Sequence, residues 1–255
     1  MSTLEEQVSG RPTRDRKVRE ALLVALTFSS GAVDAVTFLC LGKVFSAFMT
    51  GNLVFIGLRL GGAPGPAWHR VLASLVAFAV GAMLSGRLVR STERDGEVWP
   101  GGVTLAMSVA LVAQALFVGV WRTVDAQPSS AASDLLIVFS ALAMGIQTAA
   151  ISVLGVRGVF TTAATATLAM LMGDLSGWSQ SKGERLRLLG VITGLVAGAL
   201  IGGFLVVHAR YWAPVLPLGV TFAVVSATLL FPRRRAGWRR STGQPGAQRK
   251  SPVPQ

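Results

Sequence analysis

Asp34 is a carboxylate set inside an apolar run, and the residues that could work with it belong to a pattern carried twice. Gly31-Ala32-Val33-Asp34 leads through Leu41-Gly42 into Val44-Phe45-Ser46-Ala47-Phe48-Met49-Thr50-Gly51-Asn52-Leu53. Later, Met144-Gly145-Ile146-Gln147 leads through Leu154-Gly155 into Val159-Phe160-Thr161-Thr162-Ala163-Ala164-Thr165-Ala166-Thr167-Leu168. The copies align Phe45 with Phe160, Thr50 with Thr165 and Asp34 with Gln147. A charged group in a bilayer span costs several kcal/mol unless it is hydrated, paired or protonated, so Asp34 is read first as a solute- or ion-binding group. Its plainer role is a structural bond to a neighbouring helix. Gln147 cannot titrate, which leaves Asp34 as the only member of the pair able to carry a proton or attract a cation by charge.

Thr50, Gly51 and Asn52 form the second candidate. Gly51 permits backbone geometry that other residues resist, while Thr50 and Asn52 offer donors and acceptors. The second copy, Thr165-Ala166-Thr167 with Thr161 and Thr162 upstream, keeps the polarity and loses Gly and Asn. Non-helical backbone at membrane depth survives only where protein or a water-filled cavity satisfies it. The alternative is helix packing by small polar residues. Lys43 and Arg157 each precede a short segment; interfacial anchoring is favoured over an anion-attracting corner at a half-helix N-terminus.

The elements that must position these residues are apolar stretches at 21–41, 44–60, 68–90, 101–121, 134–156, 158–174, 188–208 and 212–232. A spanning helix needs about 20 apolar residues. Six stretches reach that length; 44–60 and 158–174 are short, and they carry the repeated motif. With six spans, Arg87, Arg90, Arg94, Lys182, Arg185 and Arg187 fall on the side of both termini, as cytoplasmic basic residues should. Arg59 and Arg70 count the other way. Three spans plus one short element per half (about 20–125 and 134–232) make the halves antiparallel, an inverted two-fold repeat of the kind found in transporters. The expected fold is therefore an all-α polytopic membrane protein. Its single membrane domain, 20–232, lies between disordered basic tails at 1–19 and 233–255.

Bulk composition agrees. Only 14% of the 255 residues are charged and mean hydropathy is +0.56, against about 25% charged in soluble domains. The net charge of +12 sits mainly in clusters flanking the apolar stretches, which argues for a lipid bilayer as partner and against nucleic acid. Residues 21–41 are too long for the apolar part of a cleaved signal, about 7–15 residues, and read as a spanning helix. Cys40 is a lone cysteine, so no disulfide framework or multi-cysteine metal site is expected. No nucleophile elbow, phosphate loop or zinc-protease motif is present. The chain is read as a non-enzyme without cofactor or metal. Gly194, Gly198 and Gly202 share one helix face and read as packing inside the chain, with a homo-oligomeric contact as the alternative.

Gly31-x-x-Asp34-Ala35 followed by Val44-Phe45-x-Ala47-x-Met49-Thr50-Gly51-Asn52 resembles the YoaK-like family of bacterial integral membrane proteins, defined by a domain of unknown function. The resemblance covers nearly all of residues 20–232. It implies six membrane spans and a bacterial inner-membrane location, and it supplies no substrate. Thr148 and Ala166 depart from the family's second motif, where Asn and Gly are usual. The leading expectation is a transporter or permease of a small solute, with proton coupling through Asp34 open to it. On that reading Asp34→Asn abolishes transport and leaves folding largely intact. The rival is a non-transporting scaffold or regulator.

Overall fold

A computed structural model describes residues 2–91, 99–154, 164–175 and 182–230. All regular structure in these residues is helical: α1 Ser2–Cys40, α2 Met49–Leu60, α3 Trp68–Arg90, α4 Gly101–Thr123, α5 Ser130–Ser152, α6 Ala164–Leu175, α7 Lys182–His208 and α8 Val215–Leu230, with a single 3₁₀ turn at Arg210–Trp212 before α8. Six stretches of 21 to 24 residues, from α1, α3, α4, α5, α7 and the 3₁₀ turn with α8, are long and apolar enough to cross a membrane. At 1.5 Å per residue the 12-residue α2 and α6 reach only about 18 Å, well short of a 30 Å hydrocarbon core. The chain is an all-α, polytopic membrane protein.

The N-terminal segment differs from expectation. Residues 2–19, read as a disordered tail, continue α1 without a break. Once a long span supplies the helix nucleus, each added residue gains a hydrogen bond for the dihedrals it fixes; Glu, Gln, Lys and Arg, all good helix formers, make up eight of these 18 residues and offset Gly10 and Pro12. The tail 233–255 lies outside the described residues.

Two helix pairs form the frame. α1 packs along α7, and α3 packs along α5. Glycine makes both approaches possible. A Cβ on Gly31 would strike the Leu195 carbonyl, and one on Gly198 the Phe28 carbonyl. In the other pair, a Cβ on Gly145 would strike the Phe78 carbonyl and one on Gly81 the Leu142 carbonyl. Gly194 lies against Val24 and Gly202 against Ala32, so the α7 glycine face rests on α1. Membrane helices lack a hydrophobic driving force for association and rely on such close backbone contact.

α4 and α8 complete the bundle. Ser29 on α1 donates to the Pro217 carbonyl at 3.3 Å, and Thr104 on α4 donates to Thr228 on α8 at 3.4 Å. Arg70 at the start of α3 meets Asp134 at the start of α5 at 2.7 Å. Arg70, one of the two charges that counted against the six-span topology, is therefore half of an ion pair. Arg187 on α7 meets Glu20 on α1 at 3.3 Å.

Candidate functional site

The break after α1 begins with a left-handed turn. Gly42 and Lys43 have φ of 96° and 63°, and the Lys43 N–H returns to the Phe38 carbonyl at 3.1 Å. That six-to-one bond closes the helix in the manner of a Schellman cap. Gly42 is favoured there by its positive φ, and a Cβ would also crowd the movable Arg70 guanidinium. Residues 44–48 then run back beside α1 to the depth of Asp34, where α2 begins.

Asp34 holds that segment through its backbone. Oδ1 accepts the N–H groups of Ser46 and Ala47, both at 2.8 Å, and Oδ2 accepts that of Phe48 at 3.0 Å. The first N–H groups of a helix have no partner within the helix, and its N-terminal end is electropositive. Phe48 is the N-cap of α2 and makes no side-chain cap bond. Asp34 brings an anion near that end from α1, through N–H groups of the residues that lead into the helix.

Asn52 fixes the same segment from the other side. Its Oδ1 accepts the Phe45 N–H at 3.0 Å, and its Nδ2 donates to the Phe45 carbonyl at 2.7 Å. Ser74 on α3 donates to that carbonyl at 2.6 Å. The Phe45 ring stacks on Phe38 and Phe55, with centroids at 5.0 and 6.0 Å. Gly51 serves space here rather than unusual dihedrals: its φ is not positive, and a Cβ would meet the Phe48 ring at 2.7 Å. Thr50 is exposed on α2.

Ser46 extends the cluster to α5. Its hydroxyl lies 2.6 Å from that of Ser140. Ser140 gives its proton to the Ile137 carbonyl at 3.1 Å, so Ser46 is the donor between the two hydroxyls. Gln147 lies two turns further along α5. Its Nε2 donates to the Leu26 carbonyl and the Ser30 hydroxyl, at 3.2 and 3.1 Å. It therefore bonds α1 beside Ser30, one turn before Asp34, and its Oε1 is buried without a hydrogen-bond partner. In the second motif Thr167 is buried and Thr165 exposed. Thr161 and Thr162 lie outside the described residues.

Ser140 also borders a small cavity inside the bundle. Thr37, Gln114, Phe117, Ser140, Met144 and Pro217 are among its lining, contributed by α1, α4, α5 and α8. At about 20 Å³ it has room for the centre of a single water molecule. Gln114 is 5% exposed, and neither its Nε2 nor its Oε1 has a hydrogen-bond partner.

The chain matches the family described as a protein of unknown function, DUF1275, over residues 22–227. It belongs to that family. It is also 34% identical over 159 residues to the UPF0700 transmembrane protein YoaK of Bacillus subtilis (strain 168), a match covering 62% of this chain and 68% of that protein. No solved structure matches. The region matched to the family contains the whole Asp34 cluster and Gln114.

Sequence reasoning missed Ser46, Ser74, Ser140 and Gln114. A signal existed for part of this. Ser133, Ser140 and Gln147 recur at heptad spacing on α5, and all are buried. Such spacing places them along one helix face. Gln114 had no such mate. Among the described residues no group of three His, Cys, Asp or Glu could hold a metal ion.

Proposed function

We propose that this chain is an inner-membrane permease-type transporter of a small uncharged solute, and not an enzyme. The observation that carries the reading is Gln114, a buried amide with both polar atoms unpaired, whose apolar stem lines a cavity at the meeting of four helices. In a bilayer an unsatisfied buried polar group costs several kcal/mol, so such a group is kept for a partner outside the protein. Thr37 and Ser140 also line the cavity, but their hydroxyls already donate to the Asp34 and Ile137 carbonyls. That leaves the Gln114 amide, which both donates and accepts and carries no charge, to read a solute of the same kind once the helices part. The present cavity is occluded, and passage requires the helices around it to part.

The helix contacts support an inverted repeat beneath this function. Exchanging Gly31 for Gly145, Phe28 for Leu142, Leu195 for Phe78 and Gly198 for Gly81 turns the α1–α7 contacts into the α5–α3 contacts. The sequence separation is the same for the first two replacements and, separately, the same for the last two. This register places Asp34 opposite Thr148, one residue beyond Gln147. With both termini cytoplasmic, the two halves are antiparallel and the cavity lies between them.

Asp34 enters as the clasp of the broken helix. Both carboxylate oxygens are taken by backbone donors, so neither proton coupling nor cation binding is assigned to it. Asp34→Asn turns an N–H₂ group toward an N–H donor and is expected to reduce folded protein before it reduces transport.

The test is solute entry into proteoliposomes, followed by stopped-flow swelling with urea, formamide and glycerol as neutral probes and sodium and chloride salts as charged ones. Wild type is expected to admit at least one neutral probe above protein-free vesicles. Gln114→Leu is expected to lose that flux about tenfold or more, since a site built on hydrogen bonds rejects what it cannot pair. Flux of ions alone, or neutral flux unchanged by Gln114→Leu, refutes the reading.

A further inference from the structure

A second site lies at the opposite surface of α8. Leu205, Trp212, Val215, Leu216, Gly219 and Val220 line an open apolar groove between the end of α7 and the outer face of α8. Its volume, about 460 Å³, is that of a ligand-sized cleft, roughly 300–1,000 Å³. At its Trp212 end stands a guanidinium between two aromatic rings. Arg122, in the last turn of α4, lies 4.6 Å from the Tyr211 centroid and 4.7 Å from that of Trp212. Arg210 lies beside it in the 3₁₀ turn, 5.9 Å from the Trp121 ring. Among the described residues neither arginine has a carboxylate within ion-pair distance.

The arrangement couples an uncompensated positive end to an apolar channel. Stacking restrains Arg122 and leaves its N–H edge available, the edge that pairs with phosphate oxygens. Tyr211 and Trp212 stand at the ends of membrane spans, the level of lipid headgroups, and both are exposed. Gly219 keeps the groove open, since a Cβ there would meet nothing within 4 Å. A free phosphate would use the arginines and leave the groove empty; a second protein helix would use the groove and leave the charges unanswered. We infer that this is a binding site for one anionic phospholipid, its phosphate on Arg122 and Arg210 and one acyl chain along α8. The inference is independent of the transport reading, because no residue of this site lines the central cavity.

The test uses the full chain purified in detergent, with phosphatidylglycerol and phosphatidylcholine titrated separately and bound lipid counted by native mass spectrometry. Wild type is expected to retain one phosphatidylglycerol in preference to phosphatidylcholine. Arg122→Gln and Arg210→Gln are each expected to weaken that binding roughly fivefold, the effect of one basic residue on anionic-lipid affinity. Arg59→Gln, at the exposed end of α2, is expected to leave it unchanged. Gly219→Leu fills the groove where there is room for it and is expected to weaken both lipids while the thermal melt stays in place. Equal affinity of wild type and Arg122→Gln for phosphatidylglycerol overturns the site. So does displacement of the lipid by inorganic phosphate at equal concentration, which would mean that the acyl groove contributes nothing.

Discussion

The Asp34 clasp and the centre of the bundle lie side by side and are built on opposite terms. At the clasp, Asp34, Asn52, Ser46 and Ser74 and the backbone of residues 45–48 are bonded to one another. At the centre, Gln114, Gln147 and Thr148 each retain a buried polar atom with no partner. Both regions are polar inclusions in an apolar bundle, and each could be mistaken for the other in a list of buried polar residues. The difference lies in where the hydrogen bonds close. A closed network fixes one backbone path, and it costs stability when any member is lost. An open one is already paying for unmade bonds, so removing a member relieves the fold and harms only what the group was kept for.

Substitution should therefore change sign between the two regions. The largest effect is expected at Asp34. Asp34→Ala orphans the N–H groups of Ser46, Ala47 and Phe48; Ser46 and Ala47 are buried, and each buried orphan costs roughly 1–3 kcal/mol. The expected outcome is a loss of at least about 2 kcal/mol, seen as aggregated protein on size exclusion in detergent. A variant that elutes and melts like wild type would show that the clasp is not closed.

Asn52→Ala comes next. It removes two of the bonds to Phe45, while Ser74 still serves the carbonyl, so only the Phe45 N–H is left without a partner. A loss of about 1–3 kcal/mol is expected. Asn52→Asp keeps the acceptor for that N–H but turns a second oxygen toward the Phe45 carbonyl, where Nδ2 donates, and should melt no higher than Asn52→Ala. An Asp variant that melts like wild type would assign Asn52 to packing rather than to the clasp.

Much of this was legible in the residues. Six long apolar stretches and two short ones announced the spans, because a hydrocarbon core sets helix length directly. Asp34 stood out because a carboxylate in such a stretch needs a reason. Its partners could not be read, since they are backbone N–H groups of residues whose side chains are apolar or small. The repeated motif, anchored at Leu41-Gly42 and Leu154-Gly155, pairs Asp34 with Gln147, whereas the repeat proposed from the glycine contacts pairs it with Thr148. Turns tolerate an inserted residue; a glycine against a carbonyl does not. Gln114 escaped notice because it is solitary in α4, and only the helices brought around it by the fold make it more than an amide on an apolar face.

At the open centre, Gln114→Leu replaces an unpaired amide by an apolar side chain of similar size. Stability is expected to rise by about 1 kcal/mol or stay level, while neutral solute flux falls. A clear drop in melting temperature would mean that Gln114 has protein partners and belongs with the clasp.

The smallest effect, and the sharpest on the repeat, is expected at Thr148. Its Oγ1 is buried without a partner, at the position that the helix contacts set against Asp34. Thr148→Val keeps the branched shape and removes only the hydroxyl. If Thr148 did in its half what Asp34 does in the first, the change would cost roughly 1–3 kcal/mol, the penalty of a lost buried bond. Because the hydroxyl is unpaired, the expected shift is within about 0.5 kcal/mol of zero, measured as melting temperature beside Asp34→Ala in the same detergent. Equivalence of position would then have been kept by the helices while equivalence of bonding was given up.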